Sequence, residues 1–200
     1  MQPFKHLEAV ALPLTRTNID TDQIIPARFL QKPRINDFGA YLFRDLRFNK
    51  DDSKRPEFIL NQSEYVAAKI VVAQRNFGCG SSREQAVWAL YDYGVRAVLA
   101  PSFGDIFYSN SLKNGLLPIV LPADVIEAIL ETLARQPGAQ IVVDLEQQCV
   151  RAPGLAEQSF EIAPFSKHCL LTGMDELDYT LTHADKIAAF VRQYEANPYS

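Results

Sequence analysis

The sequence predicts an α/β fold, and three features of the chain point to it. Short hydrophobic runs at residues 70–73, 95–100 and 116–121 have the length and composition of buried strands. Segments of helical character separate these runs, and strand, helix and strand then pack most readily as a right-handed crossover between parallel strands. The chain has 200 residues, of which 48% are hydrophobic and 22% charged, which is enough for one substantial core. We therefore expect one α/β domain over residues 1–200.

The amino-terminal segment predicts a strand at an edge of the sheet. Residues 4–14 are rich in apolar side chains, and Pro13 falls near their end. Because proline has no backbone N–H, it is confined mainly to edge strands. Residues 18–30 follow, with two carboxylates, a threonine and then Pro26, which is suited to open a short helix. From spacing alone, a polar turn with an Asx-type N-cap is the favoured interpretation of that segment.

Residues 31–56 show no sustained periodicity and predict a flap. They mix charged residues with aromatic ones such as Phe38, Tyr41 and Phe43. Loops of this length in a compact domain are usually lids, recognition loops or disordered segments, and the aromatic content argues against plain disorder. We expect either a gating or partner-contacting flap or a solvated excursion of the surface.

The later elements follow from apolar patterns and turn residues. A helix is expected to begin at Ser82, after a glycine-rich loop, and to end at Gly94, a typical C′ residue. Another helix is expected over residues 124–135, because its apolar residues recur on one face and Pro137 and Gly138 end it. The remaining predictions are short strands at residues 58–60 and 160–162, a loop and helix at 101–115, a hairpin at 141–151 and a helical tail at about 166–200.

Composition and charge exclude several classes of function. The formal net charge is -4 and no run of Lys or Arg occurs, so neither nucleic acid nor an anionic membrane surface is expected as a partner. No signal peptide or membrane span is recognisable, which predicts a cytoplasmic protein. The cysteines, Cys79, Cys149 and Cys169, are widely spaced, and the histidines lack the spacing of metal ligands. We therefore expect no metal site in this chain.

The functional groups are concentrated in one loop, residues 76–85, with the sequence NFGCGSSREQ. Gly78 and Gly80 allow positive φ and close approach of a ligand. The first turn of the following helix presents unpaired N–H groups and a partial positive charge. Arg83 adds a planar cation that matches a carboxylate or phosphate through two hydrogen bonds. The loop therefore predicts an anion site at a helix amino terminus.

Other interpretations of this loop stay open at the level of its residues. Residues 81–85 fit the capping-box pattern, so Ser81 or Ser82 could serve only to bind helix N–H groups. Arg83 counts against a purely structural role, because its charge in the first helical turn opposes the dipole and suggests that an anion is missing from the sequence. Cys79, between the glycines, could be a nucleophile, although no histidine lies nearby in the sequence to activate it.

Several stretches together resemble one known family. They are DTDQIIP at residues 20–26, NFGCGSSRE at residues 76–84, SFGDIF at residues 102–107 and GLLP at residues 115–118. In order and spacing they are similar to the small subunits of 3-isopropylmalate dehydratases, in the aconitase superfamily. The resemblance covers most of the chain, and the GSSRE run is its most diagnostic part.

The resemblance implies a swivelling β/β/α domain that closes over a large subunit carrying a [4Fe-4S] cluster, while this chain binds no cofactor. Together the subunits would form a hydro-lyase that interconverts 2-isopropylmalate and 3-isopropylmalate, through a dehydrated intermediate, in leucine biosynthesis. By matched position, Ser81 would be the catalytic base that removes the proton α to a carboxylate. Ser82 and Arg83 would bind carboxylates of the substrate.

The same resemblance implies supporting and recognition roles elsewhere. The flap, at about residues 29–56, would help to select the side chain of the substrate and would order only when the large subunit or substrate binds. The residues implied in support of the site are Asp22, Gly78, Cys79 and Gly80, and those implied in the recognition flap are Phe29, Leu30, Gln31 and Lys32.

The sequence leaves the exact substrate and two other classes of function open. Homoaconitate, citraconate and dimethylmaleate are close alternatives, because one or two methylene groups change binding by only about 1 to 3 kcal/mol. A thiol enzyme built on Cys79 and a non-catalytic anion-binding module are alternatives of other classes.

Overall fold

A computed structural model describes residues 1–33 and 37–196 and contains one mixed β-sheet with helices packed on both faces. The strands are β1 (His6–Leu14), β2 (Ile70–Ala73), β3 (Ala97–Ala100), β4 (Leu117–Val120), β5 (Gln140–Asp144), β6 (Cys149–Arg151) and β7 (Gln158–Ser159). The helices are α1 (Thr21–Ile24), α2 (Arg44–Arg47), α3 (Glu84–Tyr93), α4 (Asp105–Lys113), α5 (Ala123–Arg135), α6 (Pro164–Thr172), α7 (Glu176–Leu181) and α8 (Ala184–Ala196).

The sheet has seven strands in the order β4-β3-β2-β1-β5-β6-β7. Strands β1 to β4 pair in parallel, whereas β5, β6 and β7 pair antiparallel. Helices α3 and α4 connect the parallel strands β2, β3 and β4, as the alternation of strand and helix predicts. The α/β fold class is therefore confirmed.

The parallel strands β2 and β3 are buried along their whole length, which explains their continuous hydrophobic runs. In β2, Val71 and Ala73 belong to one core cluster, whereas Ile70 and Val72 belong to another. The first cluster includes the apolar residues of α3, and the second includes those of α5. Residues that alternate along a strand point to opposite faces of a sheet. The sheet therefore separates the two clusters.

The prediction that the first strand lies at an edge is wrong, because β1 is the central strand and pairs with both β2 and β5. Pro13 is nevertheless accommodated. Strand β5 pairs with β1 only at residues His6 to Val10, so β1 has β2 as its one neighbouring strand around Pro13. The proline thus marks a local edge within a central strand.

Two of the predicted short strands are also wrong. Residues Ile59–Asn61 form a 3₁₀ helix, in which the N–H of Asn61 donates to the carbonyl of Phe58. A three-residue apolar run is too short to define a strand. The strand expected at residues 160–162 is replaced by β7 just before it, while the N–H of Phe160 donates to the carbonyl of Gln148.

The segment between α1 and β2 is partly built into the core. Phe38, Leu42 and Phe43 are fully buried in the cluster that also holds α3. Gly39 allows this packing, because a Cβ atom there would lie 2.6 Å from the backbone nitrogen of Tyr93 in α3. Residues 38–43 therefore anchor the predicted flap. Residues 34–36 of the flap and 197–200 of the tail lie outside the described residues.

The carboxy-terminal segment is helical over its described residues, from α6 to α8. Helix α6 packs into the core through Leu170, whereas α7 and α8 bury no residue. Over residues 1–33 and 37–196, no helix has the length and apolar character needed to cross a membrane.

Candidate active site

Three connecting segments meet at the carboxyl ends of the parallel strands. These are the segments that follow β1, β2 and β3, and ligand sites in open α/β sheets occur at this edge. Isolated parallel bridges join Asp20 to Cys79 and Phe77 to Phe103. The DTDQ, GCGSSR and SFGD motifs, far apart in the sequence, therefore lie side by side.

The glycine loop is fixed by backbone hydrogen bonds to the segment after β1. The N–H of Gly78 donates to the carbonyl of Ile19 at 2.7 Å, and the N–H of Thr21 donates to the carbonyl of Cys79 at 2.9 Å. The buried Thr21 hydroxyl donates to the carbonyl of Ser81 at 3.0 Å. Thr21 has no role assigned from the sequence, because only the tertiary fold shows that its hydroxyl reaches the serine backbone.

The alternative in which Ser81 or Ser82 caps the helix does not hold. Helix α3 begins at Glu84, its N-cap residue is Arg83, and no side chain caps it. In a capping box, the Glu84 carboxylate would accept a hydrogen bond from the backbone N–H of Ser81. It accepts one from the side chain of Asn114 instead, at 2.8 Å. The helix also begins two residues later than predicted, so the serines lie in the loop before it.

The hydroxyls of Ser81 and Ser82 are available for other partners. Both residues are exposed. Neither hydroxyl has a hydrogen-bond partner in the part of the chain that the structure describes. The Ser81 carbonyl, in contrast, accepts hydrogen bonds from Thr21 and from the N–H of Arg83. The backbone at Ser81 is therefore fixed by hydrogen bonds, while the two hydroxyls are exposed just before the amino terminus of α3.

Arg83 binds an anion of the chain itself. Its guanidinium donates from both terminal nitrogens to the carboxylate of Asp22, with Nη2 and Oδ2 at 3.0 Å. The hydrogen bonds from Arg83 lower the pKa of Asp22, which therefore stays ionised at neutral pH, and the same contact raises the pKa of Arg83. The expectation that the sequence lacks an anion for Arg83 is thus wrong in this respect. The Asp22 carboxylate fixes the orientation of the guanidinium.

A second edge of the same guanidinium remains open. Nη1 donates to Asp22 and, at 3.3 Å, to the carbonyl of Ile25, while Nη2 uses one hydrogen on Asp22. Nε and the second hydrogen of Nη2 have no partner among the described residues. These two donors form the side edge of the fork, which can bind another carboxylate through two hydrogen bonds.

The predicted recognition residues lie beside this site. Phe29 stacks on Tyr41 with ring centroids 4.3 Å apart. The carbonyl of Leu30 accepts a hydrogen bond from the side chain of Gln85, in the first turn of α3, at 3.4 Å. Gln31 and Lys32 are exposed. The start of the flap is therefore tied both to its own anchor and to the helix that follows the serines.

Similarity to known proteins identifies the family of this chain. The family described as aconitase C-terminal domain matches residues 1–124, and the family described as LeuD_N matches residues 127–164. A 3-isopropylmalate dehydratase small subunit of Paramagnetospirillum magneticum is 48% identical over 95% of this chain and 94% of its own length. The counterpart in Shewanella baltica is 49% identical over 98% of both chains. The chain belongs to the 3-isopropylmalate dehydratase small-subunit family.

A solved structure of this family has the same fold. The 3-isopropylmalate dehydratase from Methanocaldococcus jannaschii superposes with a TM-score of 0.66 and 26% identity, over 92% of this chain and 98% of that one. The family resemblance inferred from the DTDQIIP and GSSRE motifs is therefore confirmed.

In this small-subunit family member, Cys79 does not have the environment of a nucleophile. Burial, with a further contribution from the Asp20 carboxylate, raises the pKa of the Cys79 thiol. A catalytic thiol needs the opposite effect, because the thiolate is the reactive form. Cys79 lies where the loop bridges Asp20.

We expect Cys79 to react slowly with iodoacetamide at neutral pH, at a rate below that of a free thiol such as glutathione. The physical reason is the small thiolate fraction that follows from its raised pKa. Mass spectrometry of the labelled full chain would measure the rate, with the thiol of the unfolded chain as the internal reference. Rapid stoichiometric labelling of the folded chain would restore the thiol-enzyme hypothesis.

The described part of the chain has no set of ligands for an iron–sulfur cluster. Among residues 1–33 and 37–196, no group of three or more His, Cys, Asp or Glu side chains could hold a metal. Cys149 and Cys169 are buried in β6 and α6, away from the glycine loop in the sequence and in different elements. The residues present do not fit such a cluster.

Proposed function

We propose that this chain is the small subunit of a hydro-lyase that interconverts 2-isopropylmalate and 3-isopropylmalate in leucine biosynthesis. The observation that carries the proposal is the pair of exposed, unpartnered serine hydroxyls next to an arginine with an open carboxylate-binding edge. Full-length similarity to proteins named as 3-isopropylmalate dehydratase small subunits supports it. A biosynthetic enzyme of this kind would act in the cytoplasm.

In the proposed reaction, Ser81 is the base. Its ionised oxygen takes the proton from the carbon α to a carboxylate, the electron pair forms the double bond, and the hydroxyl on the neighbouring carbon leaves. Rehydration in the other regiochemistry returns that proton and completes the isomerisation. Serine is a poor base unless its ionised form is stabilised. The positive end of α3 and the Arg83 guanidinium supply that stabilisation.

Arg83 and Ser82 would hold the substrate in place. The Nε and Nη2 edge of Arg83 offers two parallel hydrogen bonds to one substrate carboxylate, while Asp22 fixes the plane of the guanidinium. Because the Arg83 side chain is only 13% exposed, its charge is partly shielded from solvent and its direction is constrained. Ser82 would donate to the same or the second carboxylate.

The rest of the active site would come from another chain. The glycine loop lies at the carboxyl ends of the parallel strands, and no group of metal ligands that could serve as a Lewis acid for the leaving hydroxyl occurs in residues 1–33 and 37–196. We propose that the large subunit carries a [4Fe-4S] cluster, which would supply a Lewis acid for that hydroxyl. Neither a nucleic acid nor a membrane is proposed as a partner.

Reconstitution with a large subunit tests this function. We expect no turnover of 2-isopropylmalate by the purified chain alone, and turnover when the cluster-bearing large subunit is added. The ultraviolet absorbance of the unsaturated intermediate would follow the reaction, with the large subunit alone as the control. Turnover by this chain without a partner, or none by the reconstituted pair on any alkylmalate, would contradict the proposal.

The recognition flap should become ordered on assembly. We expect hydrogen exchange in residues 29–33 and 44–56 to slow when the large subunit binds, because the flap is proposed to contact the large subunit or the substrate. Residues 38–43 should be protected in both states, since Phe38, Leu42 and Phe43 are already buried. Exchange measured by mass spectrometry would resolve these segments. Equal protection of residues 29–33 and 44–56 in both states would contradict the proposed ordering.

A further inference from the structure

A cavity of about 370 Å³ lies at the end of β1 and has no role in the proposed reaction. Leu14, Ile19, Phe43, Ile59 and Leu130 contribute apolar walls. Small-molecule pockets begin at about 300 Å³, so this space is large enough for a small ligand. We call this space the β1 cavity. Its apolar walls are suited to the alkyl part of an organic ligand.

The polar residues of the β1 cavity include two charged groups without protein partners. Arg16 and Glu57 both line it, together with Thr15 and Gln23. Both charged residues are exposed, and neither forms an ion pair, a hydrogen bond or a ring contact through its side chain in the described part of the chain. Other arginines around the site, such as Arg28 and Arg83, are paired with carboxylates. An unpaired guanidinium beside an apolar cavity is suited to a carboxylate with an alkyl body.

We propose that the β1 cavity binds a small branched aliphatic carboxylate, with its carboxylate on Arg16 and its alkyl group against Leu14, Ile59 and Leu130. Two sources share this chemistry. One is a simple carboxylic acid. The other is an aliphatic α-amino acid, whose ammonium group would donate a hydrogen bond to the Glu57 carboxylate. The cavity volume accommodates either, and the two differ only in what they require of Glu57.

The β1 cavity is connected to the glycine loop through the segment that precedes and forms α1. Ile19 lines the cavity, and its carbonyl accepts the hydrogen bond from Gly78 at 2.7 Å. Gln23 also lines the cavity and follows Asp22, the carboxylate that holds Arg83. A ligand that shifts this segment would therefore move both the glycine loop and Arg83. This coupling rests on the proposed function, whereas the binding site itself does not.

A methyl NMR titration of the full chain tests the site. The probes are 4-methylpentanoate, L-leucine, which carries the same skeleton with an ammonium group, and 4-methylpentan-1-ol, which lacks the carboxylate. We expect both carboxylates to shift the methyl signals of Leu14, Ile19, Ile59 and Leu130. The Arg16→Gln variant should weaken binding about tenfold or more, as expected for the loss of a charge-assisted hydrogen bond worth about 1.4 kcal/mol or more. Arg192→Gln, at an exposed and unpaired arginine of α8, is the matched control.

Further variants keep the test decisive. Ala134 is exposed on α5 and lines the cavity, so Ala134→Phe should fill it without disturbing the core and should abolish the shifts. If L-leucine binds more tightly than 4-methylpentanoate, and this difference disappears in Glu57→Gln, the ligand class is the amino acid. If 4-methylpentanoate binds more tightly than L-leucine, the ligand class is the simple acid. The proposal is overturned if the shifts map to the glycine loop alone, if the alcohol binds as tightly as the acid, or if Ala134→Phe leaves binding unchanged.

Activity of the assembled enzyme tests the coupling separately. We expect the bound probe to change the KM for isopropylmalate in the wild type and to have no effect in Ala134→Phe. Binding in the titration without any change in KM overturns the coupling and leaves the site in place. If the assembled pair has no activity at all, the proposed function fails, and the titration still decides the site.

Discussion

Ser81→Ala should reduce turnover of the reconstituted enzyme about 10³-fold or more, as expected when a general base is removed. The alanine lacks the oxygen that would take and return the substrate proton. We do not expect the neighbouring Ser82 to replace it, because Ser82 occupies a different position in the loop. Because the Ser81 hydroxyl has no partner among the described residues, its removal leaves the fold unchanged. Steady-state rates with 2-isopropylmalate, at saturating large subunit, would measure the effect.

The controls for Ser81→Ala separate chemistry from assembly. Co-elution with the large subunit and the thermal unfolding midpoint should match those of the wild type. Ser63→Ala is a matched exposed serine before β2, at the opposite end of the strand from the glycine loop, and should retain full activity. Retention of more than about a tenth of the wild-type rate by Ser81→Ala would rule out its role as the base.

Gly78→Ala should destabilise the chain by about 2 to 4 kcal/mol, from a left-handed backbone worth about 1 to 2 kcal/mol and a steric clash of similar size. Gly78 has φ of +71°, and a Cβ atom there would lie 2.2 Å from Cγ of Phe107. The Phe107 ring cannot easily retreat, because it is buried and packs against Phe77 at 5.4 Å and Phe103 at 6.3 Å. Urea unfolding monitored by circular dichroism would measure the loss.

Gly154 provides a close control for this substitution. Its φ is +72°, almost that of Gly78, but nothing lies within 4 Å of the position of its Cβ atom. Gly154→Ala should therefore lose only the conformational part, about 1 to 2 kcal/mol. In a Phe107→Ala background, the cost of Gly78→Ala should fall toward the same value, since the clash is gone. Equal losses at Gly78 and Gly154 in the wild-type background would show that the ring contact does not matter.

The open edge of Arg83 changes how the glycine loop is understood. An arginine at a helix amino terminus suggests a free cation that waits for a substrate, yet Asp22 already occupies one edge of its fork. In the proposed reaction the pair would act as a preformed clamp, in which the chain's own carboxylate orients the guanidinium and leaves Nε and Nη2 for the substrate. Preorganisation of this kind avoids part of the entropy cost of binding.

The sequence by itself determined the local elements of the fold and the location of the candidate site. The α/β class follows from the alternation of apolar runs and helical periods, which are short-range patterns. The glycine loop is recognisable because backbone with positive φ at Gly78 and Gly80 strongly favours glycine, so the requirement is written into the residues. The GSSRE and DTDQIIP motifs are likewise local in the sequence, and they indicate the family.

The tertiary structure alone decided how these elements are paired. Strand β1 is central although it contains Pro13, because strand order depends on contacts between distant segments and the proline only reports its immediate neighbourhood. The Asp22 and Arg83 pair joins residues 61 positions apart, and no local pattern specifies such a contact. The burial of Phe38, Leu42 and Phe43 is likewise set by the shape of the core beneath α3. Local propensity fixes which segments form, whereas packing and long-range hydrogen bonds fix which side chains meet.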